Sequence, residues 1–246
     1  MRALRILLII AVILGALFTA VDRVAVHLAE GEAADRLRAS EGLASTPDVD
    51  INGFPFLTQV LGGSLDEVQV GISDYEAGAG EDGKTIRIAD LRADLKGVEF
   101  SGDFGSAVAD SATGTATIAY DELLRTAKAE PTQVAPGITA EVVALSDGGN
   151  GKIKVALETT VLGTKLPKPV PVLGSVTVVD GNTVRVRADA LPVLGGVEIA
   201  ESKVRQITDF EQRIDGLPGG ISLEKVQAAE DGVEVTVTGK GVRLAG

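Results

Sequence analysis

The chain begins with a stretch that water cannot accommodate unless something covers it. From Ile6 to Ala20 every residue is apolar except Gly15 and Thr19, and Arg2 and Arg5 stand just before the run. Basic residues ahead of a hydrophobic segment are retained on the cytoplasmic side, so the pattern predicts export of everything after about Val21. The run sits at the short end of the roughly 17–25 residues that a spanning helix needs. A signal peptidase prefers small residues at the third and first positions before its cut, and a cut after Ala20 would put Phe18 at the former. Residues 1–21 therefore read as a signal anchor or signal peptide, with Phe18 weighing toward retention. Residues 22–246 read as an exported domain. It is either anchored to the outer face of the cytoplasmic membrane by the N-terminal segment or secreted after cleavage.

Composition removes most chemistries from that domain. The chain has 35 acidic and 23 basic residues, one His, no Cys and no Trp, for a net charge of -12. Without Cys there is no disulfide, thiolate nucleophile or Cys-ligated metal. The lone imidazole, His27, follows the apolar run too closely to serve a Ser-His-Asp constellation. Asp66/Glu67 and Asp121/Glu122 are neighbours in sequence, and adjacent strand residues face opposite ways, so neither makes a converging acid/base pair. Asp147 to Gly151 has calcium-loop ingredients without the downstream bidentate Glu, and reads as a turn. The expectation is a protein with no catalytic residues, no metal and no cofactor. An acidic surface with two Tyr and six Phe also speaks against nucleic acid, which needs phosphate neutralisation and base stacking.

Beyond the apolar run, Asp22 to Ser40 has helical composition, with Val24, Leu28 and Leu37 near one face. Pro47 to Leu61 reads as a short strand, an Asn-Gly turn and a Phe-Pro-Phe entrance to a short helical or extended stretch. From Ser64 the period becomes two: Val68, Val70 and Ile72 share a face. Between Lys84 and Phe100 the apolar parity shifts near Ala89-Asp90, which predicts a bulge or bend there. Asp121 is placed to cap a short helix, DELLRTAK.

Three segments, 138–163, 172–195 and 220–244, each give strand, Asp-Gly-containing turn, strand, the pattern of a tight hairpin. Residues 166–174 and a helical 202–215 serve as connectors. About ten antiparallel strands tend to curl, and a curled sheet offers a concave apolar face. The helix over 22–40 is the expected filler of that face, and a lipid chain its competitor or companion.

Four segments carry a family resemblance: INGFPFLTQVLGG (51–63), ATGTATIAYDEL (112–123), the closing LPGGISLEKVQAAEDGVEVTVTG (217–239) and the N-terminal apolar run. In chain order, with the apolar run first, they resemble the LmeA-type phospholipid-binding proteins of the actinobacterial cell envelope. The resemblance implies an α+β, tubular-lipid-binding-like (β-wrap) fold, a long curved antiparallel sheet wrapped around a long N-terminal helix. It also implies non-enzymatic phospholipid binding that assists lipid or lipoglycan biogenesis or transfer. The alternative is a structural or interaction module of the cell wall with a filled β-rich core.

The candidate site residues come from physical argument. Phe54, Pro55, Phe56, Leu57 and Val60 make an apolar surface suited to an acyl chain, or else a core plug. Val184, Val186, Val233 and Val235 point to the inner face of the hairpins, where an acyl chain would lie. Arg185 and Arg187, on the opposite face of their strand, either hold a lipid phosphate or face solvent beside Asp189. Lys165 and Lys168 flank a Pro-rich loop and either meet headgroups or stay solvated. Expected partners are phospholipid and the outer face of the cytoplasmic membrane. Sequence names no protein partner.

Overall fold

The computed structural model describes residues 2–79, 84–101, 106–126, 131–189, 205, 208–213 and 220–245. It opens with α1 (Arg2–Glu41), an unbroken helix of 40 residues, about 60 Å long at 1.5 Å per residue. The apolar run and the helix predicted over 22–40 are one element, because no Pro interrupts them and Gly15 and Gly31 weaken a helix without breaking it. Residues 2–21 are exposed throughout, and the helix is long and apolar enough to cross a bilayer.

There follow β1 (Asp48–Asn52), α2 (Phe56–Gly62), β2 (Ser64–Ala79), β3 (Lys84–Phe100), β4 (Ala107–Ala119) and α3 (Tyr120–Thr126). Next come β5 (Thr132–Ala135), β6 (Ile138–Asp147), β7 (Ile153–Val161), β8 (Thr164–Lys165) and β9 (Val170–Val179). The chain closes with β10 (Thr183–Ala188), β11 (Phe210–Arg213), β12 (Ile221–Ala228) and β13 (Gly232–Ala245). Among the described residues the strands form two antiparallel sheets, ordered β1-β2-β3-β4-β13-β12 and β11-β10-β9-β7-β6-β5, with β8 beside β7. A long N-terminal helix with curled antiparallel sheets is thus the architecture, as the α+β reading expected. The strands are shared between two sheets because the third hairpin, β12–β13, joins the first one. There Val235 pairs with Ala116 of β4, far from the other two hairpins in sequence order.

The parity shift in β3 has a visible cause. Thr85, Arg87 and Ala89 are exposed, then Arg92 and Lys96, then Glu99. From Asp90 onward β3 pairs with β4. Before Asp90 its neighbour on that side is α3, whose Arg125 donates to Thr85 O at 2.9 Å. At the level of Ala89 the left-handed residue lies on β2, at Asp74 (φ 54), while the later shift before Glu99 falls at Gly97 of β3 itself (φ 59).

Two connectors differ from expectation. The Pro-rich 166–174 becomes strand from Val170, and Pro171 fits because among the described residues β10 pairs with β9 only from Gly174 on, so that Pro171 has one described strand neighbour, Ala156 of β7. In the segment predicted helical over 202–215, Asp209 N–H donates to Arg205 O at 2.8 Å. Phe210–Arg213 is nevertheless strand, drawn into register with β10 (Val184 opposite Gln212). Much of the rest of that segment lies outside the described residues.

The apolar side chains gather into two principal cores. One lies between the second sheet and the β12–β13 hairpin: Ile153, Val155 and Leu157 of β7 meet Val172, Val186, Val226 and Val233, with Tyr120 and Leu123 of α3 at its side. The other lies under α1 and joins Val26 to Phe56, Leu65, Val98 and Ala109. So the concave side of the hairpins is packed by β12, β13 and α3, while the second half of α1 packs on β1, α2 and the neighbouring strands.

Candidate functional site

Where α1 leaves its apolar run it turns one face to the domain. Asp22, Val26 and Ala34 are buried, and Ala29, Glu30, Ala33 and Leu37 are half-buried. The face read from sequence as Val24, Leu28 and Leu37 is divided. Leu37 turns inward, whereas Val24 and Leu28 are 61% and 71% exposed on the far side of the helix.

The domain's answering element is the Gly53–Pro55 loop with α2. Pro55, extended at the N-cap, supplies no side-chain cap. The first turn of α2 is instead satisfied from α1: Asp22 Oδ1 accepts the Leu57 N–H at 2.8 Å. A carboxylate here does the work of an N-cap and also complements the positive end of the helix. At its other end, Gly63 ends α2 in the left-handed region (φ 79), with its N–H on Val60 O at 3.1 Å. Asp22 is the one charged side chain that is fully buried among the described residues. A buried carboxylate needs partners, and Arg23 provides the second, its Nη2 lying 2.6 Å from Asp22 Oδ2.

Arg23 also ties down the loop. Its Nη2 reaches Gly53 O at 3.4 Å, and its guanidinium lies 5.4 Å from the centroid of the Phe54 ring, a cation–π contact. Further along α1, Glu30 Oε1 accepts the Ile51 N–H at 3.0 Å while Oε2 lies 3.0 Å from His27 Nδ1. Gly53 is required by conformation. Its φ is +108, where an L side chain is strained, and a Cβ there would also push aside the ends of the Gln59 and Asp66 side chains. Gln59 in turn accepts the Asp66 N–H through Oε1 at 2.7 Å, closing the corner onto β2.

The predicted lipid contacts fall into two separate places. Phe54, Pro55, Phe56, Leu57 and Val60 come together at the joint with α1, where Phe54 is 59% exposed and Phe56 is 7% exposed beneath it. Val184, Val186, Val233 and Val235 come together in the hairpin core, against protein side chains. Arg185 is paired with Glu211 of β11, and Arg187 is exposed on the outer face of β10. Lys165 is held by Glu158 at 2.6 Å, and Lys168 is exposed. The Asp147 carboxylate takes the Gly149 N–H at 2.8 Å within the β6–β7 turn. Among the described residues no three His, Asp or Glu side chains converge as metal ligands. Sequence reasoning passed over Asp22, Arg23 and Glu30. Their only local signal is position: Asp22 and Arg23 are the first charges after the apolar run.

Residues 20–238 match the family model of LmeA-like phospholipid-binding proteins. The chain belongs to that family. No curated protein and no solved structure matches it. The LmeA-like region starts just before Asp22, so it takes in the joint and both sheets up to the middle of β13 and leaves most of the apolar run outside.

Proposed function

We propose that this LmeA-like protein captures phospholipid at the outer face of the cytoplasmic membrane. There it holds or passes on the lipid within the cell envelope, assisting lipid or lipoglycan biogenesis without catalysing a reaction. The observation that carries the proposal is the unbroken α1. It leads a helix able to cross a bilayer directly into a phospholipid-binding domain and is fastened there by Asp22, which supports a domain whose first loop stands at the membrane surface. The lipid contacts proposed are Phe54, Pro55, Leu57 and Val60, with Phe56 as the floor beneath them. Val184, Val186, Val233 and Val235 would reach an acyl chain on opening of the hairpin core, and Arg187 is the exposed cation proposed for a headgroup.

The packed hairpin core favours a second reading, a structural or interaction module of the cell wall. Native mass spectrometry of the full chain released from detergent separates the two, together with transfer of labelled phospholipid from donor vesicles. Bound phospholipid and transfer support the first reading. A chain that stays lipid-free and extracts nothing supports the second. Phe54→Ser is expected to cut the transfer rate severalfold while the melting temperature holds. Because the chain carries a net charge of -12, apolar burial should drive capture, at about 0.8 kcal/mol per methylene. Raising salt from about 0.1 M to about 1 M, which shortens the screening length from about 10 Å to about 3 Å, should change capture little. A steep loss would assign the affinity to a basic headgroup site instead.

A further inference from the structure

The apolar surface of α1 does not end at one level. At 100° per residue, Asp22, Val26, Ala29, Glu30 and Ala33 fall on the side facing the domain, and there the apolar run stops at Asp22. On the opposite side Val21, Val24 and Leu28 continue it, at 52%, 61% and 71% exposed. With Ala20 and Ala25 these three residues line an open, wholly apolar groove along the helix. The next residues on that side, Glu32 and Asp35, are charged and exposed. The apolar boundary therefore climbs from Asp22 to Leu28 across the helix, a rise of about 9 Å over a cylinder about 10 Å wide.

We infer that α1 leaves the bilayer leaning toward its Val24–Leu28 side, so that acyl chains of outer-leaflet phospholipid fill this groove. The inference rests on the proposed reading that the apolar run spans the membrane. A level lipid surface meets both Asp22 on the domain side and Leu28 on the far side only when the helix leans that way, and spanning helices commonly tilt. The occupant follows from continuity: Leu4 to Val21 are exposed to whatever surrounds them, and the groove is the upward extension of that same surface. The lean sets the domain over the upper flank of the helix. It also keeps the Arg23–Phe54 pair at the headgroup level, where aromatic and basic side chains settle.

The chain has no Trp, so one substitution introduces one emitter. Val12→Trp, Leu28→Trp and Asp35→Trp are each made in the full chain, reconstituted in phosphatidylcholine vesicles, and compared with vesicles of phosphatidylcholine brominated on its acyl chains. Val12→Trp should be strongly quenched. Leu28→Trp should be blue-shifted and quenched about twofold more than Asp35→Trp, which lies roughly 10 Å further along the same side. Equal, weak quenching of Leu28→Trp and Asp35→Trp would overturn the lean, as would a blue-shifted Leu28→Trp that bromine leaves untouched, the signature of a second copy of the chain covering the groove. An unquenched Val12→Trp would instead overturn the spanning reading itself, so the two failures are distinct. Circular dichroism verifies each variant, and Val24→Trp replaces Leu28→Trp should the latter not fold.

Discussion

The two cores of this protein are built on different principles. The hairpin core is apolar from β7 through β9 and β10 to β12, and it is built of hairpins, each pairing strands that follow closely in sequence, stacked across the two sheets. The core under α1 is fastened by charge. Asp22 and Glu30 give their carboxylates to backbone N–H groups of Leu57 and Ile51, from another element, and one of those carboxylates is fully buried. Each hairpin of the first arrangement needs only alternation and a tight turn, and apolar packing stacks them. The second needs particular side chains at particular heights on a helix, and in return it fixes a loop at a chosen place. A region that only has to be solid can be made of interchangeable valines, whereas one that has to be positioned spends polar contacts on it.

The largest effect expected from challenging this contrast is in the hairpin core. Val186→Asp puts an unpaired carboxylate among Val155, Val172 and their neighbours. It should cost more than about 4 kcal/mol and leave the domain unfolded by circular dichroism. A folded Val186→Asp protein would mean that water or lipid already reaches that core. Next comes Phe56→Ala, expected to lower folding stability by about 3–5 kcal/mol in denaturant titration. A much smaller loss would show Phe56 to be a lipid-contacting residue and not a floor.

The smallest effect is a pH dependence at the end of β10. Lys152 and the Ser175 hydroxyl hold the Asp189 carboxyl below its usual range. Burial pushes Asp209 up, but the Ala188 N–H, Arg205 and Thr208 outweigh it and hold that carboxyl low as well. Each is depressed in the fold, so its contribution is complete above about pH 4 and fades as the pH falls through the folded value. Melting temperature should decline more steeply below about pH 4 in the parent than in Asp189→Asn. Identical slopes would remove Asp189 from the account.

What was legible in the sequence follows the same division. Period-two alternation and Asp-Gly turns located β6–β7, β9–β10 and β12–β13, because hairpin register is set locally. That β12–β13 belongs to the first sheet was not legible, since its pairing with β4 is decided by packing across the whole chain. At the joint, the aromatic loop drew notice for its composition, but Asp22 did not. Its hydrogen bond reaches Leu57 across 35 positions, and no local pattern announces it. Val24 and Leu28 mark the limit of periodicity as a guide. The spacing was real, yet a helical stripe does not say whether protein or lipid will cover it.

The clamp between α1 and the Gly53 corner has a consequence for how this chain tolerates changes in length. Asp22 and Glu30 must meet Leu57 and Ile51 together, so their separation along α1 is fixed by the two backbone N–H groups they serve. Adding or deleting one residue between them would rotate Glu30 by about 100° and move it about 1.5 Å along the axis, away from Ile51. Upstream of Val21 the described residues show no such register, because residues 2–21 are exposed throughout. The length of the apolar run is thus open to drift and to engineering, and the ruler that sets the domain's bearing on α1 begins at Asp22.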